Sequence, residues 1–156
     1  MRLTTYTDYS LRVLIHVGLN DDRLVRISEI AESFGISRNH LTKIVHQLGV
    51  HGYLDTVQGR NGGIRLARSP ESIIVGDVVR NLEEGFDLVE CFNSDRCDCR
   101  IEMACVLKNS LGEALDAFLG VLDKVTLADL LAPRARLRGL LAMGVDDAGL
   151  PAVPDA

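Results

Sequence analysis

Two short helices, predicted on either side of one glycine, constrain the fold of this 156-residue chain more than any other feature. Ser28 is a favoured N-cap ahead of Ile30 and Phe34, and Gly35 supplies the left-handed residue that ends many helices. Ser37 then caps a second helix, whose apolar residues recur at helical spacing: Leu41, Ile44, Val45 and Leu48. Two helices joined by so tight a turn are typical of a helix-turn-helix.

The outward face of the second helix is polar and cationic, and it also holds His46 and Gln47. Side chains of this kind donate hydrogen bonds to phosphates and to base edges in the major groove of DNA. Because the glycine turn and the cationic face occur together, DNA contact is favoured over an ordinary solvated surface. With the two caps included, the predicted contacts are Ser28, Ser37, Arg38, Asn39, His40, Thr42 and Lys43.

A β-hairpin is predicted directly after these helices. Residues 53–57 and 64–67 read as strands, and Asn61-Gly62 between them is a strong hairpin signal. A hairpin that follows a helix-turn-helix is a wing. Arg60 and Asn61 at its tip, with Arg65 beside it, are predicted to reach phosphate or an adjacent minor groove.

The net charge of −5 conceals an asymmetry along the chain. Residues 1–70 hold nine Lys and Arg against six Asp and Glu, giving +3, whereas residues 71–132 hold five against thirteen, giving −8. Residues 133–156 balance at three and three. A basic front half can face phosphate while an acidic rear half faces away.

All four cysteines lie within fifteen residues, at positions 91, 97, 99 and 105, among mostly polar neighbours. Buried structural cysteines would be scattered through a core, so this cluster favours a metal, an iron–sulfur cluster or a redox pair. The first residues lack the apolar segment of a signal peptide, and no stretch is long enough to span a membrane. We therefore expect a cytoplasmic protein, where structural disulfides are rare, and this favours metal ligation.

A long amphipathic helix is predicted over residues 106–124, with more apolar surface than one helix would leave exposed. The expected fold is mainly α: a winged helix-turn-helix with a small β-hairpin wing and a long C-terminal dimerisation helix. The expected organisation is a DNA-binding region (1–70), a linker helix and cysteine loop (71–105), a dimerisation helix (106–132) and a poorly ordered tail (133–156).

In this order of elements the chain resembles a family of winged-helix iron–sulfur transcriptional regulators, and within it the nitric-oxide-responsive repressors. The matching stretches are residues 3–14, 36–45, 59–66 and 75–80, Glu90-Cys-Phe92, Cys99 and Ala-Cys105. The resemblance implies a homodimer that binds palindromic double-stranded operator DNA. It also implies a 4Fe–4S or 2Fe–2S cluster, the 4Fe–4S form being favoured, whose reaction with nitric oxide releases the DNA.

The resemblance implies three cysteine ligands, and in some relatives an aspartate of the other subunit is the fourth ligand, which here is Asp8. We assign Cys91, Cys99 and Cys105 as ligands, with Cys97 spare because the Cys-x-Cys pair strains simultaneous ligation. Four cysteine ligands would be an alternative that needs no Asp8. Another branch of the family uses a histidine three residues after the last cysteine, where this chain has Lys108. Residues predicted to orient the ligands are Arg12, Glu83 and Glu84.

Three other functions stay open at this point. A zinc ion on all four cysteines would make a structural module, although the spacing lacks paired Cys-x2-Cys knuckles. A related regulator would sense iron, oxygen or redox state. A redox enzyme using Cys97 and Cys99 lacks any motif for a substrate pocket or cofactor loop, because Gly59, Gly62 and Gly63 form a hairpin tip. The protein is therefore not expected to be an enzyme.

Overall fold

The computed structural model describes residues 2–93 and 98–142. Within these ranges lie seven α-helices and one antiparallel two-stranded sheet, which confirms the expected mainly α, winged fold. The helices are α1 (Thr5–Leu19), α2 (Ile27–Phe34), α3 (Arg38–Val50), α4 (Val75–Leu82), α5 (Val106–Leu122), α6 (Leu127–Leu131) and α7 (Arg134–Ala142). The strands are β1 (Leu54–Val57) and β2 (Gly63–Leu66). None of the helices in the described ranges could cross a membrane, being too short or too polar.

Side-chain hydrogen bonds cap the N-terminal ends of α1 and α3, and a glycine ends α2. Thr4 Oγ1 accepts from the Thr7 N–H at 3.2 Å, so Thr4 is the N-cap and α1 begins at Thr5. Ser37 caps α3 as predicted, accepting from the His40 N–H. Gly35 ends α2 with φ of +64°, a left-handed conformation in which glycine avoids Cβ strain.

The prediction that Ser28 caps α2 is wrong. The Glu29 carboxylate accepts from the Arg26 N–H at 2.9 Å, and this bond starts the helix at Ile27 with Arg26 as its N-cap. Ser28 therefore lies within the first turn, where it is half-buried. A carboxylate near the start of a helix also interacts favourably with the helix dipole.

The wing is a hairpin, as predicted, but neither Asn61 nor Gly62 supplies the left-handed residue of its loop. Val57 pairs with Gly63, which leaves a five-residue loop, and the left-handed residue in it is Gly59 (φ +111°). Gly62 is needed for a different reason: a Cβ there would lie 2.3 Å from the Val57 carbonyl oxygen. The close approach of the two strands at the loop therefore excludes a side chain at this position.

The core of the winged half draws on segments from most of the chain. Val13 and Leu14 of α1 are fully buried against the apolar faces of α3 and of the hairpin. Residues expected in the linker and in the dimerisation region also belong to this core, namely Ile73, Val78, Leu127 and Leu131. The segments of the sequence-based division therefore share one hydrophobic core.

A second, smaller cluster attaches α5 to α4 through Val75, Val79 and Leu119. Beside it, Arg80 and Asp123 form a bidentate ion pair at 2.5 and 2.7 Å. This contact holds the C-terminal end of α5, while most of that helix stays exposed or half-buried in the single chain.

The prediction of a poorly ordered tail from residue 133 is wrong for residues 134–142, which form α7. Arg134 donates to the Gly18 carbonyl and pairs with Asp21, and Arg138 donates to the Leu19 carbonyl. These bonds satisfy carbonyl groups at the end of α1 that have no partner within the helix. Leu137 and Leu141 of α7 pack against the winged core. Residues 143–156 of the expected tail lie outside the described ranges.

Candidate DNA-binding face and cysteine segment

The outward face of α3 carries every side chain that the sequence predicted for it. All five polar residues are exposed, and the buried residues of the helix lie on the opposite side. The exposed residues are Arg38, Asn39, His40, Thr42 and Lys43. His46 and Gln47 continue the same face, which can donate to phosphates and base edges along a groove.

The wing adds the cationic Arg60 and the neutral amide of Asn61, both exposed at its loop. Arg65 is exposed on β2, where it faces Asp55 across the sheet with an ion pair of 3.4 Å. An exposed pair of this length contributes little stability, so Arg65 can exchange Asp55 for a phosphate at small cost.

Two further arginines of the winged half were not among the predicted DNA contacts. Arg68 donates to the carbonyls of His51 and Gly52 at 2.7 and 2.8 Å and lies over the Tyr53 ring at 4.6 Å. It thereby fixes the end of α3 to the wing. Arg26 is exposed at the start of α2. Bonds to backbone carbonyls depend on chain folding and leave no motif that could predict Arg68.

The three predicted cysteine ligands are free thiols in the segment between α4 and α5. Cys91 is half-buried in a short turn, Glu90–Phe92, and Cys99 is exposed. Cys105 is the N-cap of α5, and its Sγ accepts from the Lys108 N–H at 3.4 Å. Cys97 lies outside the described residues.

The donor chemistry of this segment fits an iron–sulfur cluster, since three unpaired thiols lie close in sequence and cysteine thiolate is the usual ligand of cluster iron. In the single chain these thiols are not gathered into a metal site: within residues 2–93 and 98–142, no three His, Cys, Asp or Glu side chains are grouped closely enough to hold a metal ion. Lys108, at the position where another branch of the family has a histidine, pairs with Glu102 at 2.5 Å.

Asp8 is held by Arg12 one turn further along α1. The guanidinium donates to both carboxylate oxygens, at 3.2 and 2.7 Å, and both side chains are a little under half exposed. Arg12 also lies 5.6 Å from the Tyr9 ring centre and 6.0 Å from that of Phe34. Asp8 is therefore accessible but already paired within its own chain.

The two glutamates predicted to orient the ligands have different surroundings. Glu83 accepts from the N–H and the hydroxyl of Thr4, at 2.8 and 3.1 Å, and so joins the end of α4 to the start of α1. Glu84 is exposed and lines a cleft of about 600 Å³ together with Lys43 and His46. A role of either residue at a cluster stays a prediction.

His16 is buried in α1, and its Nδ1 has no hydrogen-bond partner among the described residues. Its ring meets Phe34 edge-to-face at 6.0 Å. Burial lowers the pKa of His16, an effect opposed by the nearby Glu29 carboxylate and reinforced by Arg23. The imidazole is therefore neutral at neutral pH.

This pKa predicts a pH-dependent stability. In the unfolded chain this histidine has an ordinary pKa of about 6.5, which is higher than its pKa in the folded state. The unfolded state therefore binds a proton more readily than the folded state does. We expect the contribution of His16 to be complete above about pH 6.5 and to fall by at most about 1.4 kcal/mol per unit below it. Urea unfolding of the iron-free protein between about pH 5 and 8 measures this. His16→Gln should flatten the profile, and a variant profile identical to that of the wild type would contradict the assignment.

Comparison with known proteins agrees with this geometry. A family model described as Rrf2, iron-dependent transcriptional regulator, matches residues 3–133. The transcriptional regulator NsrR of Bacillus licheniformis is 50% identical over 143 residues, which is 91% of this chain and all of the relative. NsrR of Geobacillus kaustophilus is 53% identical over 142 residues, 90% of this chain and 97% of the relative. The resemblance to these repressors is thus confirmed.

Solved structures of regulators share the fold. IscR of T. potens is 29% identical with a TM-score of 0.67, covering 84% of this chain and 86% of its own. The oxidised form of Staphylococcus aureus CymR is 27% identical with a TM-score of 0.68, covering 85% of this chain and 97% of its own. The chain belongs to the Rrf2 family of iron-dependent transcriptional regulators.

Proposed function

We propose that the protein is a transcriptional repressor that binds a palindromic operator as a homodimer and releases it when nitric oxide reacts with a bound iron–sulfur cluster. The proposed ligands are Cys91, Cys99 and Cys105 of one subunit and Asp8 of the partner subunit, and a 4Fe–4S cluster is favoured over 2Fe–2S. Relatives that carry the name NsrR support the repressor role.

The DNA-binding part of the proposal is supported by the exposed face of α3 and by the wing. Arg38, Asn39 and His40 lie in the first turn of α3, the end that enters the major groove in helix-turn-helix proteins. The cationic side chains of the wing add phosphate contacts beside it. In a symmetric dimer two such helices read two half-sites, so the operator mirrors the two-fold axis.

The cysteine segment is suited to holding iron. Cys105 starts a 17-residue helix, so its sulfur lies at the positive end of the helix dipole, where negative charge on a thiolate is stabilised. Cys91 and Cys99 lie on the segment that leads into this helix. When bound, the cluster supplies iron–thiolate bonds that nitric oxide attacks.

Ligation by Asp8 requires a change at Arg12. To bind iron, the Asp8 carboxylate would first have to loosen its two hydrogen bonds to the Arg12 guanidinium. Because both side chains are partly exposed, this exchange costs little. A carboxylate is also a less favoured ligand of cluster iron than a thiolate, so Asp8 would hold the group more weakly than the cysteines would.

One observation carries the proposal: the cysteine segment begins where α4 ends, and Glu83 at that end is hydrogen-bonded to the N-cap of α1. Helix α1 in turn packs on α3, the helix with the proposed DNA contacts. A change in the cysteine segment therefore acts close to the element that reads DNA.

Operator binding before and after nitric oxide tests the proposal. The probe is a fluorescent duplex selected from a random-sequence library by the anaerobic, iron-loaded protein, and affinity is measured by anisotropy. Stoichiometric nitric oxide is expected to weaken binding at least about ten-fold, within the usual range of allosteric coupling. Iron-free protein treated in the same way is the control. Unchanged affinity of the iron-loaded protein would contradict the proposal.

Iron availability is a second candidate signal, favoured by the description of the family as iron-dependent. In that case removal of iron by a chelator would release the duplex, whereas nitric oxide at equal iron content would not. The same anisotropy experiment distinguishes the two signals.

A further inference from the structure

The N-cap and first turn of α1, residues 4–8, bond to two other helices and include the proposed ligand Asp8. Thr4 binds Glu83 at the end of α4, Tyr6 binds the backbone of α3, and Asp8 pairs with Arg12. This short stretch therefore contains the proposed ligand and contacts both the helix that precedes the cysteines and the recognition helix. A displacement of the turn would alter both contacts.

The contact with α3 is made by the Tyr6 hydroxyl, which donates to the Lys43 carbonyl at 3.2 Å. Within residues 2–93 and 98–142 it is the one hydrogen bond that links α1 to α3. The acceptor is main chain in the middle of α3, while the Lys43 side chain is exposed on the DNA-binding face.

A hydrogen bond restrains α3 in a way that the surrounding apolar contacts do not. Apolar packing between α1 and α3 is non-directional, so the helices can shift slightly along each other at small cost. The hydroxyl-to-carbonyl bond weakens when distance or angle changes, and so it fixes the position of Lys43 relative to the first turn of α1.

We propose that Tyr6 is the positioning residue that transmits a displacement of the first turn of α1 to the recognition helix through the Lys43 carbonyl. The inference rests on the proposed function, in which Asp8 leaves Arg12 to ligate a cluster. Asp8 lies two residues from Tyr6 in the same turn. A movement of Asp8 towards a cluster would therefore displace the turn that is hydrogen-bonded to α3. A cluster bound by one subunit then controls the recognition helix of the other.

The test compares Tyr6→Phe with Tyr9→Phe in the full-length protein. Both substitutions remove one hydroxyl from the same helix, and both rings are half-buried, but only the Tyr6 hydroxyl bonds α3 in the described residues. Affinity for the selected duplex is measured for iron-loaded and iron-free protein, and the ratio of the two affinities is the coupling. Visible absorbance and thermal unfolding report cluster content and fold.

We expect Tyr6→Phe to keep its iron and its fold while the affinity ratio falls about five-fold, the effect of one neutral hydrogen bond. Tyr9→Phe should keep the wild-type ratio. Equal weakening of both states by Tyr6→Phe, which leaves the ratio unchanged, would indicate a purely structural role and overturn the inference alone. A wild-type protein whose affinity is independent of iron would overturn the proposed function and the inference with it.

Discussion

Cys105→Ser is expected to abolish iron binding and leave α5 intact. Serine is itself a favoured N-cap, so its hydroxyl can accept the Lys108 N–H that the cysteine sulfur accepts in the wild type. The substitution therefore removes only the thiolate that is the proposed iron ligand. Loss of a residue that only supports a metal ligand already weakens binding 10- to 100-fold, so loss of a ligand should weaken it by more than about 100-fold.

The measurement is iron content and visible absorbance after anaerobic purification, with circular dichroism as the check on helix content. Cys97→Ser is the matched control and should retain iron, because three other thiolates and Asp8 are the proposed ligands. Asp8→Ala should retain less iron than the control. If Cys97→Ser loses iron while Asp8→Ala keeps it, all four cysteines are the ligands. Colourless protein that contains zinc would support the structural zinc module.

Val121→Asp is expected to convert the proposed dimer to monomers and to weaken operator binding by about 100- to 10,000-fold, the range lost when two linked binding sites become independent. Leu107, Ala114 and Val121 lie at intervals of seven residues along α5 and are all exposed in the single chain. Leu107 and Val121 are 64% and 61% exposed. An apolar heptad stripe is typical of a helix that packs against a second helix.

Sedimentation measures the oligomeric state of the variant, and anisotropy measures its binding to the selected duplex. Asn109→Asp adds the same charge to an exposed position of α5, about 200° around the helix from Leu107, and should remain dimeric. Val121→Asp should also lose iron, since Asp8 of the partner subunit is a proposed ligand. A Val121→Asp protein that stays dimeric would place the interface elsewhere.

The winged half could be predicted well from the sequence because local chemistry determines it. Ser37 and Gly35 act at the positions where their capping preferences place them, and the apolar spacing of α3 leaves its polar face outward. Ser28 shows the limit of this approach. A serine is a common cap, but Glu29 reaches back to the Arg26 N–H and starts the helix earlier, a competition that residue preferences alone do not resolve.

Features that depend on distant contacts could not be predicted in this way. Helix α7 is short and rich in arginine, which suggests an exposed tail, yet Arg134 and Arg138 bond carbonyls more than 110 residues earlier. The cysteine types and spacing indicated the ligand chemistry of the candidate site. In the proposed dimer, their spatial arrangement would depend on how the segment and a second subunit close around a cluster, and sequence patterns do not encode that geometry.

The contacts at the two ends of α1 have a consequence for the order of folding. Its N-cap is held by Glu83, 79 residues further along the chain, and its last carbonyls by Arg134 and Arg138. Contacts so distant in sequence slow folding, because a long loop must close before they form. During synthesis the end of α1 therefore finds these partners only after Arg134 and Arg138 of α7 have left the ribosome.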